Sequence, residues 1–545
     1  MKINKTITHA GRLLMMFAVA AVVACTPEAN PEQSGDQTGD ENGGNGNGEG
    51  SEVVVPPTTG STVETYQYPI AQNPPKVSFT DPTVILPSDL YTVMVEGQEQ
   101  FVLKTGATLE AIKGANSSFS NTKGVDQPHI CAFGCSGMVK VEISLKGTSV
   151  SAYEVMPVSK NPIAVQENGL LTLFMKPYDR FLVKLNGNEK NILMIFANPL
   201  QSEMGVKDDD PNVIRYKAGK VYNDVAIFPR NGQTVFIEGG AIVYGRIEAS
   251  SISCHVNGPG IIYSYPEHNS KGVYLYKCHD CTLKNTIVLN KSAWATAICE
   301  STNVQVDNWH AISTCNPYDP NGVNNDTCDI FGSNNVTITR GFSYSHDDAF
   351  CIKSHKFNWK GKVYNVSYDD CISYAVDGGN GIDLGYELNE DVSNISYKNI
   401  YICRSNGTRG EMRRGGIALH NAAAGTVDGV TYENIYVEDP REFGFHLAIL
   451  DSGYSIGNDE NNKEMFWTKP GKVKNVKIKN LHILKTPPYG FYISGYNKSP
   501  YQNDPNTKFN VEIDGLYVGG KRISSLDEFK KLRNVTVTHA NVTFK

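Results

Sequence analysis

The chain has 545 residues, a formal net charge of −7 and 40% apolar residues. The acidic balance argues against nucleic acid or an anionic membrane surface as a partner, because both select basic surfaces. After the first 25 residues no apolar run approaches the roughly 18 residues of a membrane helix, so no segment is expected to span a bilayer.

Residues 1–25 read as a signal peptide. Lys2, Lys5 and Arg12 form a basic start, residues 13–24 a short apolar run, and Val22-Val23-Ala24-Cys25 a small-residue processing site. The cysteine directly after that run resembles a bacterial lipoprotein lipobox, which implies lipid attachment at Cys25 and anchoring to the outer membrane, on its periplasmic or surface side. Residues 26–65 are rich in Gly, Asn, Pro and acidic residues, with no Lys or Arg between Arg12 and Lys76. Such a stretch buries too little apolar surface to offset its ordering entropy, so it is expected to be a flexible tether or a plain spacer.

Residues 66–205 carry short runs with strand spacing at 101–103, 139–143, 170–174, 181–185 and 192–200, separated by turn signals such as Asn186-Gly187. That pattern predicts a β-sandwich. From 206 to 545 a looser repeat takes over, in which Asn or Gly precedes alternating Val or Ile. Asn303, Asn335, Asn365 and Asn394 mark steps of 32, 30 and 29 residues, and further copies begin at Gly429, Asn475, Asn510 and Asn534. This predicts a parallel β-helix, since the copies come too close together for a propeller. Its interior is expected to stack Val, Ile, Leu, Phe and Cys. Of twelve cysteines, the eleven after Cys25 lack a regular disulfide spacing and are expected to be buried small hydrophobes. Cys278-x-x-Cys281 has no second pair, so no metal is expected there.

Two stretches about twenty residues apart concentrate the chemistry: Asn324-Asn325-Asp326-Thr327-Cys328-Asp329-Ile330 and Ser345-His346-Asp347-Asp348-Ala349-Phe350-Cys351-Ile352. With a strand at 334–339 between them, they fall on neighbouring rungs of one sheet, and Asp326, Asp347 and Asp348 converge. Convergent carboxylates suit cleavage of a glycosidic bond. Aspartates at solenoid corners also cap turns. Asp369 and Asp370 are assigned there, as is Asp329, which strict alternation puts one face away from Asp326.

The order of these motifs, followed by Gly379-Asn380-Gly381-Ile382-Asp383-Leu384-Gly385, resembles that of polygalacturonases, which carry Asn-Thr-Asp, Asp-Asp and Gly-His-Gly on successive coils. Residues 234–241 and 257–262 look like the same clan. The preceding sandwich and Gly385-Tyr386-Glu387 are more similar to its dextranase branch. The resemblance covers residues 66–545 and implies an all-β inverting glycosidase, a sandwich followed by a right-handed parallel β-helix. It implies Asp347 as general acid, with Asp326 and Asp348 activating water. Asn325, His346, Lys353, Asn380, Tyr386, Glu387, Arg413, Arg414 and His420 are then the expected substrate contacts. No metal or organic cofactor is required, and a monomer acting on a polysaccharide or oligosaccharide is expected.

Two departures bear on the substrate. Asn380 stands where polygalacturonases have histidine, and Gly416-Ile417-Ala418 stands where their Arg-Ile-Lys grips the galacturonate carboxylate. A neutral α-glycan is therefore favoured over a uronate, although Arg413 and Arg414 lie close by. Trp294, Trp309, Tyr318, Tyr344, Trp359, Tyr374 and Tyr386 flank the acidic rungs and either stack on sugars or pack internally. His310, His346 and His420 are expected at the polar surface. The alternatives are a pectin hydrolase that has replaced its clamp, a carbohydrate-binding β-helix without activity, and a lyase, for which no basic catalyst is evident.

Overall fold

The computed structural model describes residues 60–69, 86–105, 126–223, 226–263, 271–290, 294–313, 325–354, 359–376, 378–406, 414–451 and 469–545. Cys25, the leader, most of the tether, Arg413, Tyr318 and Asn324 lie outside them. Among the described residues the first part is a sandwich of a seven-stranded and a five-stranded sheet. Alternation sets its core: Val139, Val141 and Ile143 of Val139–Leu145 face inward against Phe133, Val183 and Ile195 of the other sheet, while Lys140 and Glu142 face out. Val63–Thr65, just before the expected start, pairs with His129–Cys135.

The continuous apolar run ending the sandwich has a second cause. Leu193–Asn198 is buried along its whole length, because its outer face packs on the solenoid. Met194 and Phe196 join one cluster with Ile242, Ile287, Phe342 and Tyr344. Strands covered on both faces lose their polar alternation. Polar contacts complete this joint. Arg180 donates to the Asp370 backbone oxygen at 2.6 Å and to its carboxylate at 3.1 Å, and Lys160 pairs with the same carboxylate. Asp370 is thus an ion-pair anchor for the sandwich and not a turn cap. Its neighbour Asp369 accepts from Asn399 of the next coil.

Glu438, at the end of Thr426–Val437, accepts the backbone N–H groups of Val158 and Ser159 at 3.1 and 2.8 Å. Burial pushes its carboxyl up to about 7, against those N–H donors. A raised carboxyl binds its proton more tightly when folded, so its contribution to stability is greatest below about pH 4.5 and is lost as pH rises towards 7. Glu438→Gln should flatten the decline in stability between pH 5 and 8, measured by urea unfolding. An identical slope in both proteins would contradict this.

From Val213 to Phe544 the chain is a right-handed parallel β-helix built from one nineteen-stranded and one ten-stranded sheet among the described residues. Most copies of the repeat are in register: Val304, Val336, Val366, Ile395, Val430, Val476 and Val511 stack in one column that Val542 completes, whereas Val535 of the Asn534 copy pairs with Phe491 in the other sheet. Most of the asparagines leading the copies have a turn role. Asn303, Asn335, Asn365 and Asn394 all take left-handed φ near +50°, which Asn tolerates better than other residues with a side chain. Their amides ladder at 3.2, 2.9 and 2.7 Å. The interior also stacks tyrosines, which the sequence reading omitted: Tyr368, Tyr397 and Tyr432 lie ring on ring at 4.8 and 5.3 Å. All ten described cysteines are unpaired and buried.

Candidate active site

The ten-stranded sheet positions the carboxylates. Its strands Cys328–Phe331, Phe350–Lys353, Ile382–Tyr386 and Gly415–Asn421 lie on consecutive rungs. Cys328, Ile330, Phe350, Ile352, Ile382 and Leu384 fill the core. Alternation therefore turns Asp329, Cys351 and Asp383, which are mutual register partners, to the outer face. Asp326, Asp348 and Asn380 stack at the corner just before these strands: Thr327 N–H donates to the Asp348 oxygen at 3.1 Å and Ala349 N–H to that of Asn380 at 3.2 Å.

The expectation that Asp329 faces away from Asp326 is corrected. The strand begins only at Cys328, so strict alternation does not reach back to residue 326. Lys353 Nζ reaches both carboxylates, at 3.0 Å to Asp326 and 2.8 Å to Asp329. Arg414 holds the neighbouring pair, with Nη1 2.7 Å from Asp348 and Nη2 3.3 Å from Asp347. Asn380 adds its backbone N–H and side-chain amide to Asp348, at 2.9 and 2.8 Å, and its own oxygen accepts from Gly415 N–H at 2.9 Å. Gly379 allows this closeness, since a Cβ there would lie 1.8 Å from the Asp347 carbonyl oxygen.

These contacts set the charges. Burial, the Asp329 charge and more weakly those of Asp347 and Asp348 push Asp326 well above the usual carboxylate range, against Lys353. Burial likewise raises Asp329 to about 6. Lys353 stays charged because its two acids outweigh its own desolvation. Burial and their mutual repulsion thus disfavour ionising both acids beside Lys353 at once. Burial also opposes ionisation of Asp348, but Arg414, Lys353 and the two Asn380 donors outweigh it and hold this carboxyl below its ordinary value. Asp383 is raised well above it by burial and by Asp348.

Several expected substrate contacts have other roles. Asn325, Asn380 and His420 are fully buried. Asn380 positions Asp348. His420 bonds His446 at 2.8 Å and stacks on Tyr386 at 4.6 Å. Burial, then His446 and Arg414, lower its pKa well below 6.5 and keep it neutral. His346 turns towards the sandwich, 2.8 Å from Asp126, whose other oxygen accepts from Tyr344. His310 is buried against Phe196 at 4.1 Å, so none of the three histidines is a surface residue. Trp309, Tyr344 and Tyr374 are core residues too. Lys353, Arg414, Tyr386 and Glu387 remain around the carboxylates. Asp329, Asp383 and Asp126 were missed. The first two carried a signal in their alternation with core residues, whereas Asp126 carried none.

The sequence profile of Glycosyl hydrolases family 28 matches residues 188–482, more than half of the chain. The chain belongs to that family. Among curated relatives it is 26% identical over 197 residues to the probable endopolygalacturonase I of Aspergillus flavus and to endopolygalacturonase I of Aspergillus oryzae, covering 34% of this chain and 46% of each relative. The chain thus spans less than half the length of these relatives. Among solved structures, Dex49A from Penicillium minioluteum superimposes with a TM-score of 0.55 at 13% identity, covering 88% of this chain and 96% of that one. It shares the fold.

Among the described residues one donor set in this candidate site suits a metal by geometry: ligand atoms of Asp326, Asp348 and Cys351 lie within 4.8 Å of one another. Lys353 and Arg414 already supply two positive charges to these carboxylates. The Cys351 thiol is pushed up by burial and donates to Asp383. This arrangement favours proton chemistry over cation binding.

Proposed function

We propose that the chain is an inverting glycoside hydrolase that cleaves α-glycosidic bonds in a neutral, dextran-like glycan. The observation that carries the reading is the grouping of Asp326, Asp347 and Asp348 around Lys353 and Arg414 on one outer face. In this reading Asp347 gives its proton to the leaving oxygen as the bond to the anomeric carbon breaks. Water adds to that carbon from the opposite face and gives its proton to Asp348 or Asp326. Asp348, held ionised by Arg414 and Asn380, is suited to accept it. A neutral substrate is supported by the rung at 415–421. Ile417 pairs with Ile382 there, so Gly416 and Ala418 flank it without charge, and Arg414 is committed to the two aspartates.

Purified protein incubated with dextran, pullulan and polygalacturonate, with fresh products followed by proton NMR, tests both parts. The β-anomer should appear first from a neutral α-glucan. First release of the α-anomer would overturn inversion. The curated relatives favour a second reading, a pectin hydrolase with a rebuilt clamp at Arg413 and Arg414. Cleavage of polygalacturonate alone would establish it.

Asp329→Asn removes the like charge beside Asp326, so Asp326 should ionise at lower pH. If Asp326 takes the water proton, the acid limb of kcat/KM should move down by on the order of one pH unit. An unmoved limb in a folded variant would assign the base to Asp348 alone. We further infer that lipid on Cys25 holds the enzyme at the outer membrane. Cys25→Ala should release it from membrane fractions, and unchanged partitioning would require another anchor.

A further inference from the structure

Beside the carboxylates, on the same outer face, lies an aromatic cluster that the proposed chemistry does not use. The ten-stranded sheet separates it from the solenoid core. In register, Tyr274, Ala297 and Asp329 form one outward column, and Tyr276, Cys299, Phe331 and Lys353 the next. Adjacent rungs are about 4.8 Å apart, so Tyr274 lies two rungs, about 10 Å, from Asp329. Ala297 and Cys299 are small and buried, and Trp294, Trp359, Tyr274 and Tyr276 cover them while remaining partly exposed. Trp294 stacks on Phe331 at 5.4 Å. Trp359 lies 5.3 Å from Trp294 and donates its indole N–H to the Tyr274 hydroxyl at 2.9 Å. Lys353 Nζ is itself 5.1 Å from the Trp294 ring, which makes the cluster continuous with the acidic site.

Lys271 adds a donor. Its ammonium lies 5.1 to 5.2 Å from the rings of Tyr274, Trp294 and Trp359, and no carboxylate among the described residues forms an ion pair with it. Burial lowers its pKa, so a further acceptor would stabilise its charge. Two of the chain's four tryptophans gather here, on the outer side of the sheet.

We propose that this cluster is a sugar-stacking subsite for the part of the glycan extending from the scissile bond over the preceding rungs. The C–H face of a pyranose lies on Trp294 or Trp359, and Lys271 donates to its hydroxyl oxygens. The neutral sugar rests on the reading proposed above, whereas the platform rests on the aromatic geometry.

The test titrates isomalto-, malto- and galacturonate oligosaccharides of two to eight units into the full chain carrying Asp347→Asn, read by tryptophan fluorescence. The same titration follows for added Trp359→Ala, Trp294→Phe and Lys271→Gln. In one neutral series, longer chains should bind at least tenfold more tightly than the disaccharide and shift tryptophan emission. Trp359→Ala should remove most of both effects. Trp294→Phe should weaken long chains less, and Lys271→Gln several-fold. Length-independent binding in every series, or Trp359→Ala binding like its parent while melting normally, overturns the platform. Tightest binding of oligogalacturonates overturns the neutral occupant. Unsubstituted protein that binds through Trp359 but releases no reducing ends sinks the hydrolase reading and leaves the platform. Protein that hydrolyses the glycan while Trp359 proves irrelevant does the reverse.

Discussion

Asp347→Asn should lower kcat about 10²- to 10⁴-fold, the range spanned by a positioned general acid. The amide keeps the shape of the carboxylate and can still accept from Arg414 Nη2, now 3.3 Å from Asp347. Substrate affinity and thermal midpoint should therefore change little. Leaving-group dependence provides the second readout. An aryl glycoside whose phenolate departs without a proton should lose much less rate than the natural glycan, because only the natural leaving oxygen needs the Asp347 proton. Equal losses on both substrates would remove Asp347 from the acid role. A variant that unfolds, yet has normal activity per folded molecule, would make the residue structural.

Arg414→Ala should be the most destabilising single change at this site. The guanidinium is buried and serves two buried carboxylates. Removing one partner of such a group leaves uncompensated charge and costs about 3–5 kcal/mol. The sign of its pH dependence is fixed. Arg414 is the largest of the influences holding Asp348 below its ordinary pKa, so the pair contributes stability above the unfolded carboxylate pKa and loses it as pH falls through the folded one. The variant's deficit in urea unfolding should therefore be large at pH 7 and shrink towards pH 3. Arg414→Lys keeps the charge but not the two-pronged fork, and should fall between. A deficit independent of pH would show that Arg414 matters through packing alone.

The division between local and tertiary information is visible in single residues. The repeated asparagines were legible because a left-handed φ is a preference of one residue in its own turn. The Val and Ile columns were legible for the same reason, since alternation along a strand assigns its faces without reference to distant parts. The order of the Asn-Asn-Asp, Asp-Asp and Gly-Asn-Gly motifs likewise placed Asp326, Asp348 and Asn380 on successive rungs. Alternation failed at Asp329 because a corner precedes its strand, so residue 326 lies outside the strand's alternation.

Charge partners were another matter. Arg414 lies 66 positions along the chain from Asp348, and His346 lies 220 from Asp126. Nothing local distinguishes these side chains from solvent-exposed ones. Their partners depend on which rungs stack and where the sandwich docks, and burial then sets their protonation. The same holds for the tryptophans: Trp294, Trp309 and Trp359 look alike in sequence, but Trp309 entered the core while the other two remained on the outer face. The sequence alone therefore determined the coil, its turns and the identity of the acidic rungs. Only the tertiary structure decided which charges meet which carboxylates and which aromatics stay out of the core, because both depend on residues far away in the chain.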